Sequence, residues 1–250
     1  MVQEKLRLKD KVAIITGSTS GIGEETAKLF ADEGASVVIV GRRQDRGEKV
    51  VETIRQNGGN AIFVKTDVTK NEDLKNMVDK TLANFKQVDI LVNNAGRIIQ
   101  KPFTEITEDD WEQYVRLNSY SYFRAMQIVL PHMESKGSGS IVNVTSAAAI
   151  NVRKTHALYS FTKAGITHMS KIVAAEYADK GIRVNCLLPG VVYTEMIADN
   201  PRTPEVAKGI PLGRMSTPEE QAKSVLYLAS EDSSFMTGSS IVTDGGVTGI

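Results

Sequence analysis

The sequence predicts an α/β fold, a doubly wound parallel sheet with helices on both faces, and three observations predict it. Short apolar runs alternate with longer amphipathic segments from one end of the chain to the other. The apolar runs are too uniformly apolar to have a wetted face, as expected of strands buried on both sides. A glycine-rich turn joins the first run to the first amphipathic segment.

In order, Val12–Thr16 reads as a strand and 22–33 as a helix ending at Gly34. Strand 37–40 follows, then helix 45–57, stopped by Gly58 and Gly59. Strands 61–65 and 88–92 flank a helix over Asn71–Phe85. A long helix is expected over 108–134, then strand 140–145, a helix carrying Tyr159 and Lys163, and strands 182–187 and Ser240–Thr243. No internal repeat, low-complexity tract or linker interrupts this alternation, so one domain over 1–250 is expected. Pro189, Pro201, Pro204, Pro211, Gly209 and Gly213 disfavour a continuous helix over 190–216, which reads as a loop with short helical pieces, of the kind used as a lid.

The 250 residues carry 30 Lys and Arg against 30 Asp and Glu, which gives no general electrostatic pull toward nucleic acid or an anionic membrane. Cys186 is the single cysteine, placed in an apolar run as a packed core thiol, and a reducing compartment is expected. The charged start of the chain and the absence of an 18-residue apolar stretch lead to an expectation of a cytoplasmic protein. Three histidines without a ligand cluster predict no metal site; His132 and His168, within helices, read as structural.

Thr16-Gly17-Ser18-Thr19-Ser20-Gly21-Ile22-Gly23 lies between the first strand and the first helix. Glycines there let backbone approach a pyrophosphate, and the helix N-terminus offers free N–H groups and a partial positive charge. The spacing is Gly-x-x-x-Gly-x-Gly, and its strand-to-helix setting makes it a dinucleotide site. At the end of the second strand stand Arg42 and Arg43, with no carboxylate before Asp45. Arginine forks suit a ribose 2′-phosphate, so NADP(H) is preferred, with NAD(H) as the alternative.

Tyr159 and Lys163 are four residues apart and share one helix face. With seven tyrosines in the chain, that spacing alone arises readily by chance. An adjacent ammonium would lower the phenol from about 10; a drop of about 2–3 units takes roughly 3–4 kcal/mol and gives a general acid/base near neutrality. Ser146, from a neighbouring strand end, is placed to hold a substrate oxygen beside that phenol.

Together with Asp67-Val68, Asn93-Asn94-Ala95-Gly96, Asn118, Tyr159-Ser160-Phe161-Thr162-Lys163, Pro189-Gly190 with Thr194 and Asp244-Gly245-Gly246, these motifs occur in an order that resembles the short-chain dehydrogenase/reductase family, over essentially the whole chain. The resemblance implies a Rossmann fold and a catalytic set of Asn118, Ser146, Tyr159 and Lys163. In that set Tyr159 exchanges the proton and Lys163 lowers its pKa and bonds the nicotinamide ribose. Ser146 orients the substrate oxygen, and Asn118 positions a water linking Lys163 to solvent. It further implies that Gly17, Ser18, Ser20, Gly21, Ile22 and Gly23 meet the cofactor phosphates, that Asp67 and Val68 meet adenine, and that Asn94, Ala95 and Gly96 line the floor. Pro189, Gly190, Val192 and Thr194 would hold the carboxamide. Where NADP-using relatives often carry a basic residue in the glycine loop, this chain has Ser20.

The implied reaction interconverts a ketone and a secondary alcohol. Ile98, Ile99, Ile150, Val152, Tyr193, Met196 and Ile197 suggest a hydrophobic, steroid-like small-molecule substrate, and Arg97, Arg153, Lys154 or His156 could meet a carboxylate on it. Trp111, at the entry to the long helix, reads as a packing residue. One alternative is a 3-oxoacyl-[acyl-carrier-protein] reductase, although the places where such enzymes present arginines fall near Gly137 and Lys180. Another is a non-catalytic nucleotide-sensing protein, which the intact set of four disfavours. The resemblance implies a homotetramer.

Overall fold

The structure, a computed structural model, describes residues 6–194 and 203–249. Seven strands among these residues form one all-parallel sheet: β1 (Val12–Thr16), β2 (Ser36–Gly41), β3 (Asn60–Lys65), β4 (Ile90–Asn93), β5 (Gly139–Val144), β6 (Ile182–Pro189) and β7 (Ser240–Thr243). Their order is β3-β2-β1-β4-β5-β6-β7. Between them run α1 (Gly21–Asp32), α2 (Gln44–Gln56), α3 (Asn71–Phe85), α4 (Glu108–Val115), α5 (Ser121–Lys136) and α6 (Ala157–Tyr177), followed by α7 (Thr203–Lys208) and α8 (Pro218–Ala229).

Side-chain alternation along each strand divides the core into two layers. Ala13, Ile15, Val37 and Ile39 pack with Phe30 of α1, Ile54 of α2 and Leu226 of α8. Their neighbours Ile14, Val38 and Val40 turn to the opposite face, against Leu74 of α3 and Met126 and Met133 of α5. Period-2 alternation with both sets apolar is what a sheet sandwiched between helix layers requires. The chain order reverses between β1 and β4, and the crevice beyond their C-terminal ends is where such sheets take ligands.

The expected elements are present, with three differences. The strand expected over 88–92 starts at Ile90; Asp89 before it still bonds Val12 and Ser140 through its backbone, and its buried carboxylate accepts the Val12 N–H at 2.7 Å and pairs with Lys136. The long helix expected over 108–134 is broken into α4 and α5 by a π turn at Arg116–Tyr120, in which Ser121 N–H reaches the Arg116 carbonyl. Helix α8 was not anticipated. Its signal is local: Thr217 caps it, Pro218 opens it and Glu220 completes a capping box. Within the expected lid, α7 is a short helix, while 195–202, with Met196 and Ile197, lie outside the described residues. None of the described helices is long and apolar enough to cross a membrane. His132 and His168 lie exposed on helix surfaces and are not core residues.

Candidate active site

A cleft of about 950 Å³ opens over the C-terminal ends of β1, β2 and β4. Its walls are the glycine loop, Arg42 and Arg43, Thr66–Thr69, Asn94–Arg97, the α4 side chains Glu112 and Tyr114, and Thr194. The loop is held against the floor by close backbone contact. Gly17 has φ +67°, and a Cβ on it would stand 2.8 Å from Ala95 Cα; one on Gly23 would stand 2.5 Å from the Gly17 carbonyl oxygen. Asn94 Nδ2 donates to the Thr16 and Gly17 carbonyls at 3.0 and 3.2 Å, tying floor to loop. Ser20 caps α1 without a side-chain bond to it, so the first helical N–H groups are left for a ligand facing the cleft. This cradle fits a dinucleotide pyrophosphate.

Not every expected cofactor residue reaches the cleft. The Ser18 side chain is fully buried and braces β1 to β2, donating to the Ile15 carbonyl at 2.6 Å and accepting the Val40 N–H at 2.9 Å. Pro189 closes β6, and Gly190 N–H donates to the Thr243 carbonyl; neither lines the cleft. Val192 bridges to Ser216, which turns the chain so that Thr194 faces Gly21. Arg43 donates to the Thr19 hydroxyl at 3.0 Å and to the Ser20 hydroxyl at 2.8 Å. A cation therefore stands at the glycine loop although the loop itself carries none. Burial draws the Asp67 carboxyl upward, but bonds from the Thr69 hydroxyl and N–H and the charges of Arg42 and Lys70 outweigh it, leaving the group below the usual carboxylate range.

The four expected catalytic residues converge beyond the floor. Ser146 lies two residues beyond the end of β5, Tyr159 and Lys163 lie on the first turns of α6, and Asn118 lies in the π turn. The Ser146 hydroxyl accepts the Ala148 N–H at 3.1 Å and stands close enough to the Tyr159 phenol to lower its proton affinity. Lys163 is 3% exposed, with Nζ 6.0 Å from the Tyr159 ring centroid. A Cβ at Gly96 would stand 3.1 Å from Asn118 Oδ1 and 3.4 Å from Lys163 Nζ, so cofactor floor, asparagine and lysine form one cluster.

Two expectations change here. Burial raises the Tyr159 phenol above its usual value, and Ser146 only moderates this. Burial thus opposes the lowering expected from Lys163 and brings the lysine itself down to about 7; its N–H groups go to the Tyr122 hydroxyl and the Val144 carbonyl, each at 3.1 Å. The side-chain amide of Asn118 is likewise committed: it accepts the Arg97 N–H and donates to the Arg97 carbonyl, both at 2.9 Å. A water held by Asn118 would therefore rest on its main chain. Tyr122 was missed, since nothing in the sequence signals that it meets Lys163.

Around the substrate side, Ile99 is buried with Tyr114 and Leu158 against Tyr159, whereas Ile98, Ile150, Val152 and Tyr193 are exposed. Arg97 lies 5.8 Å from the Tyr114 ring centroid at the cleft wall. Trp111, on the first turn of α4, stacks on Phe161 at 4.8 Å with both rings half exposed.

The family profile described as Enoyl-(Acyl carrier protein) reductase matches residues 17–248. The chain is 41% identical over 246 residues to a 3-oxoacyl-[acyl-carrier-protein] reductase of Chlamydia pneumoniae, covering 97% of this chain and 99% of that protein. Among solved structures, a 7α-hydroxysteroid dehydrogenase complexed with NADH and 7-oxo glycochenodeoxycholic acid superposes with TM-score 0.93 at 35% identity, over 98% of this chain and 97% of the other. A gluconate 5-dehydrogenase of Burkholderia cenocepacia J2315 in complex with NADP and tartrate gives 0.92 at 32% identity, over 99% and 98%. With the sheet order, the cradle and these likenesses together, the chain belongs to the short-chain dehydrogenase/reductase family and is an NAD(P)-dependent oxidoreductase acting on CH–OH groups.

Proposed function

We propose that this enzyme prefers NADP(H) and interconverts a ketone and a secondary alcohol on a hydrophobic small molecule. The observation that carries the chemistry is the convergence of Ser146 and the buried Lys163 on Tyr159, with Lys163 Nζ 6.0 Å from the Tyr159 ring centroid. Bound nicotinamide supplies the two-electron chemistry. Ser146 holds the substrate oxygen against Tyr159, which gives its phenolic proton to that oxygen in reduction and receives it in oxidation. Lys163 steadies the phenolate left behind, and Asn118 clamps Arg97 so that Gly96 stays against the lysine. The residues that would grip the cofactor are Gly17, Ser20, Gly21 and Ile22 at the phosphates, Asp67 and Val68 at adenine, Asn94 to Gly96 at the floor and Thr194 at the nicotinamide end.

Support for NADP(H) comes from Arg42 and Arg43, which line the cleft at the end of β2 where NAD enzymes use a carboxylate. Steady-state kinetics with both cofactors test this: NADPH should be used at least tenfold more efficiently, and a clear preference for NADH ends the assignment. The 190–216 segment, with α7, serves in this reading as the lid over the substrate.

Reduction of a 3-oxoacyl thioester on acyl carrier protein is the second reading, favoured by the chlamydial relative. Against it, Gly137 offers no side chain, and Lys180 is partnered by Glu134 at 3.9 Å and Asp179 at 3.7 Å. Pairing of subunits through the α4–α6 face into a homotetramer is supported by Trp111, Phe161 and the 78%-exposed Phe103. Light scattering reads it directly.

A further inference from the structure

Tyr122 sits on the first turn of α5, immediately after the π turn, and is 1% exposed. Its hydroxyl donates to the Val144 carbonyl at 2.8 Å. Lys163 Nζ lies 3.1 Å from that hydroxyl and 3.1 Å from the same carbonyl, closing a triangle. A phenol has one proton, and here it is spent on Val144, so Oη shows Lys163 only lone pairs. The lysine must donate to both corners. Its Nζ also stands 4.8 Å from the Tyr122 ring centroid, where the ring face favours a cation.

We infer that Tyr122 is a positioning residue of the reaction, holding the Lys163 ammonium on a neutral acceptor and so governing the positive charge available to Tyr159. This rests on the proposed roles of Tyr159 and Lys163. A carboxylate in the same place would hold the lysine as firmly but cancel its field at the reacting phenol. A phenol holds it without cancelling. The titratable groups facing Lys163 are Tyr122 from α5, Tyr159 from its own helix and Cys186 from β6. Burial drives the Tyr122 phenol well above its usual value and the Cys186 thiol up to about 11, so neither contributes a negative charge near neutral pH. Lys163, at about 7, is the group in this pocket whose charge responds there. Val144 adds a geometric link, since the carbonyl that anchors both side chains lies two residues before Ser146.

The test is Tyr122→Phe, which keeps the ring and removes the acceptor. Two readouts apply: the Lys163 titration midpoint, followed by NMR of protein labelled with ¹³C at lysine Cε and assigned with Lys163→Arg, and the pH dependence of oxidative kcat/KM. Loss of a bond to the charged form should lower the lysine midpoint by about one unit and move the limb of the rate profile that follows the lysine charge, near pH 7, to lower pH by a similar amount. Tyr122→3-fluorotyrosine, which keeps the shape and weakens the oxygen as acceptor, should move both in the same directions by less, and it serves if the phenylalanine variant does not fold. An unmoved lysine midpoint, or a moved midpoint with an unmoved rate limb, overturns the inference. Failure of the underlying reading shows separately, as turnover retained by Tyr159→Phe, which leaves the lysine titration still reporting on Tyr122.

Discussion

Arg43 crosses from the start of α2 to the glycine loop, where its guanidinium lies 2.8 Å from the Ser20 hydroxyl and 3.0 Å from that of Thr19. Position 43 thereby puts a cation beside Ser20, from the far side of the same cleft. A planar fork already fixed by two hydroxyls loses little freedom on meeting a phosphate. Arg43→Ala should raise the KM for NADPH about tenfold, equivalent to about 1.4 kcal/mol, while changing that for NADH less than about threefold. Parallel kinetics with the two cofactors check this, and equal effects on both would assign Arg43 to loop stability.

Replacing Tyr159 by Phe removes the proton donor but keeps the ring that packs with Ile99 and Leu158. Turnover should fall by about 10²–10⁴, the usual worth of a positioned acid/base. Nucleotide affinity, read by fluorescence titration, should change little.

Stability should depend on pH through Lys163. Its folded value of about 7 lies below the unfolded 10.5, so the unfolded chain binds the extra proton between those values and stability rises with pH across that window. The penalty is complete below pH 7 and reaches roughly 5 kcal/mol as an upper bound. Cys186 acts oppositely: its thiol, raised from 9.0 to about 11, makes stability fall as pH climbs through that range. The window from about pH 7 to 9 therefore belongs to the lysine. Denaturant unfolding without added nucleotide should give a positive slope there for the parent and a flat line for Lys163→Met.

At Gly23 a methyl group would meet the Gly17 carbonyl and Asn94 Nδ2, both at 2.5 Å. Gly23→Ala should cost about 1–3 kcal/mol of stability by overpacking and weaken nucleotide binding, because the loop must lift from its floor. Thermal melts with and without NADPH measure both.

The strands and most helices were legible because their signals are local. Val12–Thr16 and Asn71–Phe85 carry unbroken periodicity bounded by turn residues, and they form over those same residues. Helix α8 was equally local, with Thr217, Pro218 and Glu220 in sequence, and was overlooked among the prolines before it. Other features had no sequence signal. Whether Arg43 or Arg42 turns to the glycine loop depends on the direction in which β2 delivers the chain. Tyr122 is four residues beyond Asn118, but its meeting with Lys163 depends on how α5 and α6 pack against β5. For Tyr159, a spacing of four residues conveys proximity to Lys163 but says nothing of burial, which pulls the phenol upward.

The π turn at Arg116–Tyr120 inserts one residue beyond the ordinary helical count. Each residue of an α-helix turns it by about 100°, so the insertion offsets the phase of α5 from that of α4 by a fixed angle. The helical run from α4 through α5 can thus aim Tyr114 at the cleft wall and, two turns on, Tyr122 at the lysine. Deleting a single residue within 116–120 would return the run to one phase, and α5 would then have to swing Tyr122 away from Lys163 or pull α4 off the cleft. The spare residue works as a fixed offset between two halves of the run, so one insertion sets both the cleft wall on α4 and the alignment behind the lysine.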